Sequence, residues 1–141
     1  MRMRKVYITD HNIISSLGFD SETNFKSLLS NRCGITEIKN DDGKIFYSSI
    51  VDKEKLNLEF LKIGDVEKYT TLEKMMILSV EKIIVTSKVP TSENTGLIIA
   101  TTKGNVDTLS PRSKFHKDKK RVYLNALGKT VQDFFKFKNE A

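Results

Sequence analysis

The 141-residue chain has no tryptophan, one cysteine and two histidines. It also has no apolar run approaching the roughly 18 to 20 residues that a membrane-spanning helix needs. Each scarcity excludes something. A lone Cys33 rules out an internal disulfide, and His11, His116 and Cys33 are spaced too far apart to form a local metal-ligand pair. The start, Met1-Arg2-Met3-Arg4-Lys5, leads into a short strand-like pattern rather than the long apolar stretch of a secretion signal. No repeat or low-complexity segment is visible. The expectation is a soluble cytoplasmic protein that does not span a membrane and needs neither metal nor cofactor. With 38% hydrophobic residues the chain can supply one modest core, so residues 1–141 are read as one unit.

Positive charge is what the chain has in excess. Twenty-four Lys and Arg stand against eighteen Asp and Glu, a net charge of +6, which favours an acidic partner. Six of the basic residues, Arg112, Lys114, Lys117, Lys119, Lys120 and Arg121, fall together around Phe115 and His116. Such a run is most simply a solvated loop leading into a helix. Nucleic-acid binding would rest on electrostatics alone, because no recognition-helix, zinc-finger or RNA-binding aromatic signature accompanies it.

Apolar periodicity outlines the elements. Residues 6–14 are rich in β-branched and aromatic side chains between polar turns, which predicts a strand covered on both faces. Asp20 or Ser21 can cap a helix in which Phe25, Leu28 and Leu29 share a face, closed by Gly34. After the turn Asn40-Asp41-Asp42-Gly43, residues 44–51 predict a strand or extended edge, and residues 56–61 a short helix. The strongest local signal is Thr70-Thr71-Leu72-Glu73, a capping box. It predicts a long helix whose stripe of Leu72, Met75, Met76, Val80, Ile83 and Ile84 faces a core until Ser87-Lys88-Val89-Pro90 ends it. Residues 95–101 predict a second buried strand, parallel to the first, with the long helix as crossover. A last helix is expected over 120–137, with Leu124, Leu127, Val131, Phe134 and Phe135 inward. The fold class that follows is α/β, a βαβ layer with parallel strands and packed helices.

Two chemical motifs fail on their own terms. Cys33 follows Arg32 but has no assignable base to make it a nucleophile. Gly128-Lys129-Thr130 imitates the tail of a phosphate-binding loop, yet Tyr123 stands where the first glycine must be, and the stretch reads as helix.

The order of several short motifs nonetheless resembles one family. In residues 6–18, Thr9, Ser15, Leu17 and Gly18 match the opening strand and turn of the β-ketoacyl-acyl carrier protein synthases of the thiolase fold, while Asp10, Asn12 and Ser16 depart from it. Asn31-Arg32-Cys33-Gly34-Ile35 resembles the family's Gly-Arg-Ser-Gly-Ile, and Thr95-Gly96-Leu97-Ile98-Ile99-Ala100-Thr101 with Gly104-Asn105 resembles a later strand and glycine turn. The likeness runs along the whole chain and spans about the first third of a complete synthase. No single motif is diagnostic, and the departures mark a divergent branch.

What the resemblance implies is a decarboxylative Claisen condensation in fatty-acid or polyketide-like synthesis, by an acyltransferase with a nucleophilic Cys and two His. None of those three can be placed here, so this chain is expected to be an incomplete thiolase-like half, cut before the nucleophile strand and inactive alone. The implied partners are an acyl carrier protein and a second synthase chain, in a homodimer or a heterodimer. Lys68 and Lys74 fall near where some members present basic residues to the carrier, and Lys103, Gly104, Asn105 and Leu109 mark a substrate or subunit contact. The other reading is a non-catalytic subunit that docks an acidic protein. A sheet cut in this way should leave an unpaired edge, and with it self-association or marginal stability.

Overall fold

The computed structural model describes residues 5–139. Among them are four α-helices and a two-stranded antiparallel sheet: α1 (Ser21–Leu29), β1 (Ile35–Lys39), β2 (Ile45–Ser49), α2 (Lys53–Phe60), α3 (Thr71–Ser87) and α4 (Leu124–Phe135). Two 3-10 turns, Val106–Leu109 and Lys119–Val122, precede α4. The class is mixed α and β, but the expected parallel βαβ layer is absent among the described residues.

Local chemistry starts each helix. The Asp20 side chain accepts from Thr23 N at 2.7 Å to cap α1, and this hydrogen bond holds the Asp20 carboxyl below the ordinary carboxylate range. Asp52 caps α2 through Lys55 N at 3.0 Å. At α3 the expected box is complete: Glu73 N donates to Thr70 Oγ1 at 3.2 Å, and Thr70 N donates to Glu73 Oε2 at 2.8 Å. Lys88 ends that helix in the left-handed region, with φ 54°. The last helix is shorter than expected. Residues 119–122 form the tighter 3-10 turn, and beyond α4 the left-handed Lys136 lets Phe137 N return to Gln132 O at 3.1 Å, burying Phe137.

The hairpin forms around the predicted turn. Asn40 Oδ1 accepts from Lys44 N at 2.8 Å, and Gly43 at φ +78° closes the reversal, so Lys39 pairs with Ile45 and Ile35 with Ser49. The β2 expectation matches Ile45–Ser49. Its mate Ile35–Lys39 was not foreseen, because Thr36-Glu37-Ile38-Lys39 alternates weakly and follows the glycine read as a terminator.

Both expected core strands need correction. Residues 6–14 carry no strand, and Val6 and Ile8 are 93% and 90% exposed. Residues 95–101 also carry none, although their burial alternates: Leu97 and Ile99 pack on the core while Ile98 is 94% exposed. The reason is pairing. Among the described residues no backbone-to-backbone hydrogen bond reaches 6–8 or 96–101, and helices cover one face of 97–99 only. A strand of a parallel sheet needs neighbours at its edges and cover on both faces.

The core is small. Phe60, Ile77 and Val131 lie at its centre, one each from α2, α3 and α4, with Tyr69 and Phe134 stacking around Phe60 at ring separations of 5.2 Å and 6.1 Å. The stripe on α3 is only half-buried, and the buried residues of α3 are Glu73, Lys74 and Ile77. On α1 the expected apolar face of Phe25, Leu28 and Leu29 is exposed, and the buried residues are Asn24 and Ser27. Asn24 Nδ2 donates to Ile13 O, Gly18 O and Asp20 O at 2.8 to 3.1 Å, fastening the turn at 15–18 onto the helix. Gly18 permits that approach, since a Cβ there would meet Thr23 Cγ2 at 2.7 Å. Leu124, expected to face inward, is half-exposed.

Candidate functional site

The loop following residues 95–101 carries a buried residue, Asn105, into a hydrogen-bonded polar cluster. Gly104 takes φ +56°, a conformation glycine adopts without strain, and this swings the chain so that Asn105 enters the interior, where it is fully buried. Gly104 N donates to Thr101 Oγ1 at 3.1 Å, and Thr108 Oγ1 donates back to Asn105 O at 2.7 Å. The loop is thereby closed on itself before it meets the helices.

Asn105 then joins three elements. Its Nδ2 donates to Glu73 Oε1 at 2.9 Å and to Arg121 O at 3.2 Å, while its Oδ1 accepts from Thr70 Oγ1 at 2.7 Å. Glu73, also fully buried, accepts from Arg121 on both oxygens, Nε to Oε1 at 3.1 Å and Nη2 to Oε2 at 2.6 Å. This two-pronged geometry is the strong form of a carboxylate pair. Arg121 Nη2 continues to Lys68 O at 2.7 Å, and its guanidinium lies 4.5 Å from the centre of the Phe115 ring. No buried polar side-chain atom among the described residues lacks a partner.

The sequence-predicted residues divide on this frame. Asn105 is the joint of the network, and Gly104 makes it possible. Lys103 and Leu109 stay at the surface, with Val106 beside them 47% exposed, so the loop offers a cationic and apolar rim over a closed polar interior. Lys68 is exposed, its ammonium 3.8 Å from Asp65, and its carbonyl is held by Arg121. The loop at 103–109 and Lys68 are therefore linked through Arg121, Glu73 and Asn105. Lys74 lies elsewhere: it is buried, with Nζ donating to Asn57 Oδ1 at 2.5 Å.

Chemically the network is saturated. Both donors of the Asn105 amide are used and both Glu73 oxygens are occupied by the guanidinium, which leaves neither group free for proton transfer. Cys33 is free and exposed, and no cluster of three metal-ligating side chains occurs among the described residues. Gly128, Lys129 and Thr130 lie within α4, away from any strand-to-helix loop. Arg121 is what sequence reasoning missed. It stood in a run of basic residues read as solvated, and its partner is 48 residues away. Glu73 was visible as half of a capping box, but its second role was not.

Comparison of the chain with protein-family models, with curated proteins and with solved structures finds no match.

Removing one partner of a buried pair leaves the other charge uncompensated. Arg121→Ala is expected to destabilise the protein by about 3 kcal/mol in urea unfolding. Glu73→Gln, which keeps the shape and removes the charge, should lose less. Equal stability of Arg121→Ala and the parent would contradict the clamp.

Proposed function

We propose that this chain is the N-terminal part of a β-ketoacyl-acyl carrier protein synthase of the thiolase fold, without condensing activity by itself. One observation carries the reading: residues 6–8 and 96–101 are apolar, yet neither has a ladder partner among the described residues. Backbone groups of an apolar segment are normally paired. Two unpaired segments of this kind, with Val6, Ile8 and Ile98 almost wholly exposed, are what core strands become when the rest of their sheet is not supplied. The motif order in the sequence, from the opening turn through Asn31-Arg32-Cys33-Gly34-Ile35 to Gly104-Asn105, supports the same family.

In this reading the network around Glu73 holds the 103–109 loop in place. Lys103 and Leu109 then form a substrate or subunit contact, as part of a homodimer or heterodimer of synthase chains, while Gly104 and the buried Asn105 hold the loop beneath them. The chemistry is acyl transfer to a Cys followed by attack of a malonyl-derived enolate, and it belongs to residues other than Cys33. Carrier docking is assigned to the exposed Lys68, where opposite charge steers the encounter; Lys74, expected beside it, is buried against Asn57 and so is not on that surface. A second reading, a non-catalytic subunit that docks an acidic protein, is favoured by the net charge of +6 and needs no nucleophile.

Translating the reading frame past the Ala141 codon is expected to give an apolar strand that leads into a Cys at a helix N-terminus, followed by two His. A stop codon there would overturn condensation for this chain and leave the non-catalytic subunit. In a separate measurement, Lys68→Glu should weaken binding of acyl carrier protein in calorimetric titration. Unchanged binding would remove Lys68 from the docking surface.

A further inference from the structure

His11 and Ser21 come from different segments and meet in the lining of one cavity, with His11 Nδ1 and Ser21 Oγ 2.9 Å apart. The fold claims neither group for another purpose. Asp20, and not Ser21, caps α1, so the Ser21 hydroxyl has no capping duty, and its other neighbour, His11 O, lies farther off at 3.4 Å. Among the described residues the His11 ring makes this hydrogen bond alone. The loop that carries His11 is fastened on both sides. Asn12 Nδ2 donates to Ser79 Oγ of α3 at 3.0 Å, and Ile13 O accepts from Asn24 Nδ2 of α1 at 3.1 Å. His11 N donates to Asp10 Oδ1 at 2.8 Å, which fixes the backbone beneath the ring. A base held within hydrogen-bond reach of a hydroxyl is the arrangement that activates a serine. In the tautomer with its proton on Nε2, His11 accepts the Ser21 hydroxyl proton at Nδ1.

The cavity decides what such a pair would meet. It opens to solvent with a volume of about 630 Å³, within the range of small-molecule sites. Asp10, Asp20 and Glu22 set three carboxylates in its lining against the single ammonium of Lys82, so the lining is anionic. Asp10 and Glu22 each spend one oxygen, on His11 N and on Lys26 Nζ, and keep the second. Phe25, 61% exposed, adds an aromatic face, which attracts a cation.

We infer that this cavity is a site for hydrolysis of small cationic carboxylic esters, with Ser21 as nucleophile and His11 as base. Ser21 Oγ attacks the carbonyl carbon as its proton passes to His11 Nδ1. The tetrahedral oxyanion is met by Ser21 N, the first amide of α1, which no intrahelical acceptor uses, and by the positive charge of Lys82. The bond to the alcohol oxygen then breaks, His11 gives its proton to that oxygen, and Ser21 is left acylated. A water molecule, deprotonated by His11 in the same way, attacks the acyl carbon and releases the acid with the Ser21 hydroxyl restored. Asp10, Glu22 and the Phe25 face hold the cationic part of the substrate. The inference rests on these side chains and not on the condensing-enzyme reading, and either can fail alone.

The test incubates the full chain with a fluorophosphonate probe and locates the label by mass spectrometry, then follows p-nitrophenol release from two esters. Labelling is expected on Ser21. A burst of p-nitrophenol equal to the amount of protein is expected from the cationic p-nitrophenyl guanidinobenzoate, and slower release from the neutral p-nitrophenyl acetate. Ser21→Ala should abolish both labelling and burst, and His11→Gln should slow labelling by about a hundredfold or more. Both variants should keep the parent Tm, since neither side chain caps a helix or enters the core. Glu22→Gln should lower the ratio of cationic to neutral ester rates. Failure of the probe to label Ser21 in the parent needs no variant to interpret and would overturn the proposal, as would equal ester hydrolysis by the parent and the Ser21→Ala protein. Equal rates on the two esters would overturn the cationic substrate class.

Discussion

The buried pairing of Glu73 with Arg121 is the constraint on which the order of this chain depends. Apolar packing alone is thin: Phe60, Ile77 and Val131 form the centre of the core, and many large apolar side chains remain in solvent. Against that background a carboxylate fully withdrawn from water, met by a guanidinium at 2.6 Å, fixes three places at once. It closes the N-terminus of α3, because the same Glu73 caps Thr70 N. It positions the 3-10 turn before α4, because Arg121 belongs to it. Through Asn105 it also fixes the loop after residues 95–101. A buried pair need not add net stability over an apolar replacement, since desolvation offsets much of the attraction. What it contributes here is a single arrangement, because any shift of the loop or the turn would strand a charge.

The two ends of this network differ in consequence. Inward, its donors and acceptors are consumed, and no catalytic group is left free. Outward, it presents Lys103, Val106 and Leu109 on one side and Lys68 on the other as exposed groups on a fixed backbone. Contact residues thus stand at the rim of a hydrogen-bonded frame, next to apolar segments that have no ladder partner among the described residues. Lys74 departs from this pattern: it is buried and bonds Asn57, but among the described residues it has no ion pair.

Legibility in the sequence followed the range of the interaction. The start of α3 could be read because a capping box is complete within four residues, and the β-turn at 40–43 because Asn and Gly carry its geometry locally. The helices came close to their expected places, with α4 starting later because residues 119–122, which carry the Arg121 that Glu73 holds, form a tighter 3-10 turn. The strands failed for the opposite reason. Residues 6–14 and 95–101 have strand composition, but a strand is a pairing, and composition does not say where a partner lies. Asn105 was named from its place after a glycine turn, yet its role as an interior joint depends on Glu73 and Thr70, more than thirty residues away. Arg121 was hidden among lysines from which nothing local distinguishes it. The hairpin mate at 35–39 was hidden by its polar alternation.

The central claim is that side-chain pairing around Glu73, not a sheet, holds this chain in its fold. Residue-resolved amide hydrogen exchange on the full chain tests it most directly. The account predicts the strongest protection at the amides of α3, which the capping network anchors, and exchange close to that of an unfolded peptide at residues 97–100. Protection at 97–100 equal to that of α3 would mean that these residues are paired in a ladder, and would contradict it.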